Sequence, residues 1–252
     1  MKYMGSKARI AKHILPIMLE EAEKHGVTKW VEPFVGGANM IKFVPECFEK
    51  FGYDNNVYLI EMYKHLQKCG FTYTESIDKD LYDGCRKAYN ENSWHVHSQE
   101  VDASFIGWVG FMASANGRFF DGGYSGVSKT KLGTERNYID ESIRGLKKEF
   151  YLIKSVKFST SNYLELDFKN SLIYCDPPYK GTKTYNTSKN FNHETFFDWC
   201  REQAKNNIVF ISEYIAPDDF ECVWQQEVKS SLSANGVAGG SKVSVEKLFM
   251  VK

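Results

Sequence analysis

The chain has 252 residues, 42% of them hydrophobic and 15% aromatic, which excludes disorder and provides for one domain, or a domain with a large insertion, around a substantial core. Thirty-two basic residues balance thirty-two acidic ones, so any attraction to phosphate has to come from a local patch and not from net charge. The six cysteines are widely spaced without a C-x-x-C pair, the start lacks an apolar signal region and no eighteen-residue apolar run occurs, which together point to a soluble chain of a reduced cytosolic compartment, without zinc site, disulfide framework or membrane span.

Lys2-Tyr3-Met4-Gly5-Ser6-Lys7 precedes a pattern in which Ile10, Ile14, Met18 and Ala22 share one helical face. Ser6 suits an N-cap, and Pro16 is expected to kink or split the helix. The basic cluster Lys2, Lys7, Arg9 and Lys12 is either a solvated face or part of a binding site. Lys29 to Val35 reads as a strand running into Gly36-Gly37-Ala38-Asn39, a turn that lets backbone N–H groups approach a ligand. The G-x-G-x-x-G signature is absent, which weakens a nicotinamide or flavin reading. Phe34 serves equally as core or as ligand contact. Phe51 to Asp54 is a second short strand, and its terminal acid lies about twenty residues past the glycine turn, where it can reach a ribose hydroxyl. The alternative for Asp54 is a cap for the following helix, a role open also to Asn55 or Asn56.

From residue 57 to 157 the pattern is helical, over Val57–Lys68, Lys79–Asn90, Gln99–Ala113 and Glu135–Phe150. Between the last two helices lies Asn116-Gly-Arg-Phe-Phe-Asp-Gly-Gly-Tyr-Ser-Gly126, followed by Lys129, Lys131 and Arg136. Glycines, aromatics and basic residues in one loop suit an embrace of nucleic acid, with Arg118 and its basic neighbours reaching base edges or phosphates; an ordinary surface loop is the alternative. Residues 128–157 hold eight basic and four acidic side chains, a patch that the neutral total conceals. His95 and His97 have no carboxylate or thiol at ligand spacing, so no metal is expected.

The α/β pattern returns with Val156–Phe158 and Leu164–Phe168. Leu172 to Cys175 is then a buried strand that must end at Asp176, because Pro177 and Pro178 cannot continue a hydrogen-bonded ladder. An acid, a rigid Pro177 carbonyl and the Tyr179 ring are thereby presented at the strand's C-terminal mouth. That trio suits an exocyclic amino group on a nucleobase: the carboxylate and the carbonyl each accept one N–H bond, and the ring stacks on the base. Residues 180–191 form a polar loop beside it, Asn192 caps a helix through Asn206, and Ile208–Ile211 is another buried strand. Val228–Leu232 and Val243–Val251, separated by Gly236, Gly239 and Gly240, read as a terminal hairpin.

Asp176-Pro177-Pro178-Tyr179 resembles the DPPY motif of amino-methyltransferases. With Val31-Glu32-Pro33-Phe34-Val35-Gly36-Gly37 and the N-terminal Tyr3 to Lys7 segment, the chain resembles the DNA adenine methyltransferase (Dam) family over about its first seventy and last ninety-five residues. Gly-Gly-Ala stands where Gly-Ala-Gly is commoner. The resemblance implies a Rossmann-like α/β fold, a mixed sheet with a terminal antiparallel hairpin, in a catalytic domain of residues 1–56 and 158–252. It places a mostly helical target-recognition insertion at 57–157.

By the same resemblance, the activity is transfer of a methyl group from S-adenosylmethionine, leaving S-adenosylhomocysteine, to N6 of an adenine flipped out of duplex DNA, without a metal. Tyr3, Lys7, Phe34, Gly36, Asp54, Asp167, Phe168 and Asp176 would hold the cofactor; Asp176, Pro177 and Tyr179 would act on the base; Arg118, Lys129, Lys131 and Arg136 would contact DNA. A bacterial or phage-infected cytoplasm is implied, and the recognised sequence, oligomeric state, any protein partner and any paired restriction endonuclease are not. The rivals are an RNA base methyltransferase with the same quartet and a non-catalytic DNA-binding protein on the same fold. A cytosine N4 enzyme, in which Ser commonly replaces the motif's Asp, fits less well.

Overall fold

The structure is a computed structural model and describes residues 1–97, 99–129, 133–179, 191–229 and 243–252. Lys131, the loop at 180–190 and the glycines 236, 239 and 240 expected in the terminal hairpin lie outside these residues. In chain order, a 3-10 turn at Lys7–Arg9 leads to α1 (Ala11–Lys24), β1 (Lys29–Glu32), β2 (Glu49–Asp54) and α2 (Val57–Cys69). There follow α3 (Lys79–Asn90), the short ladder β3 (His95–Val96) and β4 (Gln99–Glu100), α4 (Ala103–Ala113), a second ladder β5 (Val127–Lys129) and β6 (Glu135–Asn137), and α5 (Tyr138–Glu149). The last part holds β7 (Lys157–Thr160), β8 (Leu172–Cys175), α6 (His193–Ala204), β9 (Ile208–Ser212), β10 (Phe220–Lys229) and β11 (Val243–Val251).

Seven strands form one mixed sheet in the order β10-β11-β9-β8-β1-β2-β7. β9, β8, β1, β2 and β7 are parallel, while β11 runs antiparallel to β9 and to β10. After β1 the chain builds outward to β2 and β7, then returns to the other side of β1 for β8. The strand order therefore reverses between β1 and β8, and the C-terminal ends of those two strands flank the crevice where open α/β sheets bind ligands.

Local chemistry sets the element ends. β1 stops at Glu32 and not at Val35, because Pro33 has no N–H to give the ladder. Ser6 caps the 3-10 turn, its hydroxyl accepting from the Ala8 N–H, and α1 begins only after it. α1 runs as one helix through Pro16 instead of splitting there, its Ile14, Leu15 and Met18 pressed into the core on both sides of the proline. α4 starts at Ala103, four residues later than the apolar pattern suggests, since Asp102 accepts from the Phe105 N–H at 2.8 Å. α5 likewise starts after its cap, Asn137, and the residues before it pair as β6. Leu164 to Phe168 is not a regular element; a 3-10 turn, Tyr163–Glu165, is followed by irregular chain.

The helices of the middle segment share their core with the sheet. One apolar cluster runs from Ile14 and Trp30 through Leu59, Trp108 and Met112 to Ile143 and Leu248. α4, buried along nearly its whole length, packs on α2 so closely that a Cβ at Gly107 would stand 2.1 Å from the Tyr58 carbonyl oxygen. α2 in turn covers the sheet, with Tyr63 stacked on Phe158 of β7 at 4.5 Å. A second cluster on the other face joins Val31, Ile173 and Ile211 to Phe196 and Cys200 of α6.

Candidate active site

Four parallel strands end in acids: Glu32 closes β1, Asp54 closes β2, Asp176 follows β8 and Glu213 follows β9. In each case the acid sits where the strand leaves the sheet, so one edge of the molecule collects carboxylates. Burial pushes Glu32 well above the usual carboxylate range, against the indole N–H of Trp30, which donates to its Oε1 at 2.9 Å. Glu213 is 1% exposed, takes the Tyr214 N–H at 2.7 Å and lies 3.9 Å from His193 Nε2.

The glycine turn after β1 is fastened from three sides. Gly36 (φ +44°) donates its N–H to Asp54 Oδ2 at 3.1 Å, and its carbonyl accepts from the Tyr63 hydroxyl at 3.0 Å. The Tyr3 ring lies over the turn, so a Cβ at Gly36 would come within 2.8 Å of it. Ala38, where the commoner motif has glycine, also adopts a positive φ, +53°, and is fully buried. An L-residue in that region costs about 1 kcal/mol or more relative to glycine. Tyr3 itself stacks on Phe111 of α4 at 6.0 Å, which ties the middle segment to the turn.

Asp54 takes part in both expected roles. Its Oδ2 holds the glycine turn while Oδ1 accepts from the Asn56 N–H at 2.9 Å; the helix cap proper is Asn56, whose side chain accepts from Leu59. Burial raises the Asp54 carboxyl to about 6, with the backbone bonds from Asn56 and Gly36 opposing the rise.

Asp176 and Tyr179 sit together at the mouth of β8. Lys7 does not join the glycine turn; its ammonium is 3.0 Å from Asp176 Oδ1 and 4.4 Å above the Tyr179 ring, and it donates to the Gly5 carbonyl at 3.0 Å. The Tyr179 hydroxyl donates to Glu246 Oε2 of β11 at 3.1 Å, and Tyr214 meets its ring edge to face at 4.7 Å. His193, the first residue of α6, donates from Nε2 to the Pro178 carbonyl at 3.0 Å. Burial raises the Asp176 carboxyl above the usual range, with Lys7 as the main opposing influence. Pro177 is buried.

Phe34 packs among Tyr163, Phe191 and Phe196 at 5.2 to 5.9 Å, a half-buried aromatic group above the end of β1. The Ser161 N–H donates to the Asp54 carbonyl, so the residues after β7 that border the acid edge are Ser161 to Tyr163. The Phe168 ring packs on Tyr53, next to Asp54 in β2, at 5.7 Å and on the same face of the sheet as Phe34. The Phe168 N–H donates to the side chain of Gln203 in α6 and its carbonyl accepts from the Asn207 amide just past that helix, while Asp167 is exposed.

Of the basic residues expected at DNA, Arg118 follows Gly117, whose close approach to the Lys2 carbonyl presses this loop onto the N-terminal segment. Its Nε is buried without a hydrogen-bond partner among the described residues. Lys129 is exposed on β5. Arg136 is engaged instead with Glu141, at 2.5 and 2.8 Å, and Lys2 joins the same carboxylate. Among the described residues no group of three or more His, Cys, Asp or Glu could hold a metal ion, and no helix is long and apolar enough to cross a membrane.

Glu32, Glu213, His193 and Glu246 are members of the site that sequence reasoning passed over. The first two carry the signal that identified Asp54 and Asp176, an acid closing a short buried run. Glu246 carries no such signal, because only the pairing of β11 with β9 brings it in. Residues 3–103 match the family model of the D12 class N6 adenine-specific DNA methyltransferases. A comparison with curated proteins gives no match.

Proposed function

Because residues 3–103 match the family model of the D12 class of N6 adenine-specific DNA methyltransferases, we propose that the chain uses S-adenosylmethionine to methylate N6 of an adenine extruded from duplex DNA into the β8 mouth. The observation that carries this reading is the convergence of Asp176 and the buried Tyr179 ring at the strand-order reversal, beside the glycine turn that closes β1.

The residues present fit the methyl donor. The edge has an excess of carboxylate for a cation, a buried acceptor in Asp54 for ribose hydroxyls and an aromatic group around Phe34 for an adenine ring. When bound, the donor supplies a sulfonium-activated methyl group. Tyr3, Gly36, Asp54 and Phe34 would hold it against the glycine turn. Phe168, whose ring lies on Tyr53 beside Asp54, and its exposed neighbour Asp167 would border the same ligand.

Asp176 and the Pro177 carbonyl each accept one N6–H bond, which turns the nitrogen lone pair toward the methyl group. The positive charge that develops on N6 then faces a carboxylate already in place. Tyr179 stacks on the base, and His193 steadies the Pro178 peptide behind it. Arg118, Lys129 and Lys131 contact DNA from the middle segment, which we assign to target recognition over 57–157. Arg136, whose Nε and Nη2 are held by Glu141, would meet a phosphate with its remaining donors or by giving up that pair.

Purified protein given methyl-labelled S-adenosylmethionine with duplex DNA and, separately, with RNA tests the reading. Label in N6-methyladenine of the DNA is the expected outcome. Label confined to RNA, or none in either, overturns it.

A further inference from the structure

We propose that Glu246 receives the Lys7 ammonium when a base enters the site, and so frees both Asp176 and the face of Tyr179. The inference rests on the methyltransferase reading above and adds a positioning residue to it. As the side chains stand, the ammonium pairs with Asp176 Oδ1 at 3.0 Å and lies over the Tyr179 ring at 4.4 Å. A base that stacks on that face and gives an N6–H to Asp176 competes with Lys7 for both places.

Lys7 is 9% exposed, so its ammonium cannot simply retreat into water. A buried ammonium that loses its carboxylate is left strongly destabilised unless another takes it up. Glu246 Oε2 is the second carboxylate oxygen within ion-pair reach among the described residues, 4.0 Å from Nζ, and that same oxygen already accepts the Tyr179 hydroxyl. A swing of about 1 Å toward it completes the new pair. The Lys7 bond to the Gly5 carbonyl provides a pivot that is kept throughout. Two carboxylates thus share one cation, and substrate decides which of them holds it.

Glu246→Gln keeps an oxygen for the Tyr179 hydroxyl and removes only the charge, while Glu246→Ala removes both. The substrate is duplex DNA carrying the site mapped from N6-methyladenine in cells expressing the chain. Glu246→Gln is expected to lower kcat roughly tenfold or more, with KM for the cofactor within about threefold and an unchanged melting temperature. Glu246→Asp should recover most of the loss. In a Lys7→Met background the same Gln substitution should cost less than about twofold, because no ammonium remains to be parked. Fluorescence of 2-aminopurine at the target position, with S-adenosylhomocysteine bound, should rise less in Glu246→Gln than in wild type.

An equal cost in both backgrounds overturns the inference. So does a Glu246→Gln variant indistinguishable from wild type while Glu246→Ala is impaired, since Glu246 would then only anchor Tyr179. Both results leave the function intact, whereas a wild-type protein that methylates no adenine refutes the function itself.

Discussion

At the residue scale, Asp54 holds the glycine turn and, on the proposed function, would also serve a ligand, with opposing preferences of pH. Burial raises its carboxyl to about 6, so the folded state favours the protonated form. A group raised in this way contributes stability that is complete below the unfolded value, near 4, and is lost as pH rises through about 6. The magnitude is about 2–3 kcal/mol. Urea unfolding of wild type and Asp54→Asn should therefore show a difference that moves in favour of the Asn variant between pH 4 and pH 7; a pH-independent difference would count against the burial argument. Cofactor binding should run the other way, because ribose hydroxyls need the ionised acceptor. KM for S-adenosylmethionine should rise as pH falls below about 6, and Asp54→Asn should remove that inflection. The strand-end pattern that exposed Asp54 and Asp176 in the sequence applies equally to Glu32 and Glu213, which were hidden by their settings. Glu32 stands inside a glycine-turn motif, and Glu213 ends a strand whose neighbours were unknown until the sheet was ordered. Lys7 was legible as a site residue but not as a partner of Asp176, since that contact depends on how the N-terminal segment folds across two strands.

At the element scale, the middle segment shares one apolar core with the sheet, and a few close polar and backbone contacts fix how its helices sit. The Gln67 amide, on α2, donates to the carbonyls of Ile153, Lys154 and Val156, at 3.1, 3.2 and 2.8 Å, and so fixes the chain as it turns into β7. Gln67→Ala should lower the unfolding free energy by about 1–3 kcal/mol, since it leaves these acceptors unpaired, several of them half-buried. Gly107→Ala should cost at least as much, because α4 cannot move away from α2 without opening the core. Chemical denaturation checks both, and neutral results would show that the two helices are loosely coupled. Helix α3 was legible to the residue from its apolar period. The starts of α4 and α5 were not, because a cap side chain overrides periodicity: Asp102 and Asn137 mark where each helix can begin. The order of strands in the sheet is the least legible feature, as it depends on pairings between residues more than a hundred positions apart, such as Val31 with Ile173.

At the scale of the whole molecule, the proposed function makes charge decide how DNA would be met. On the proposed reading, a chain with no formal net charge would draw on the basic excess between residues 128 and 157 and on Arg118. Affinity for duplex DNA should then fall with salt on a shallow log–log slope, between about −2 and −4, and Lys129→Ala should reduce that slope by about one. Arg118→Ala should weaken DNA binding while leaving cofactor affinity within about twofold; a loss confined to the cofactor would move Arg118 out of the DNA assignment.

The account stands on Asp176 as the acceptor that makes N6 reactive, and its single-turnover rate is the most direct measure. With cofactor and duplex DNA both saturating, Asp176→Asn should transfer the methyl group about 10²–10³ times more slowly than wild type, because the amide keeps the shape but loses the charge that faces N6. A variant that transfers at the wild-type rate would contradict the central claim.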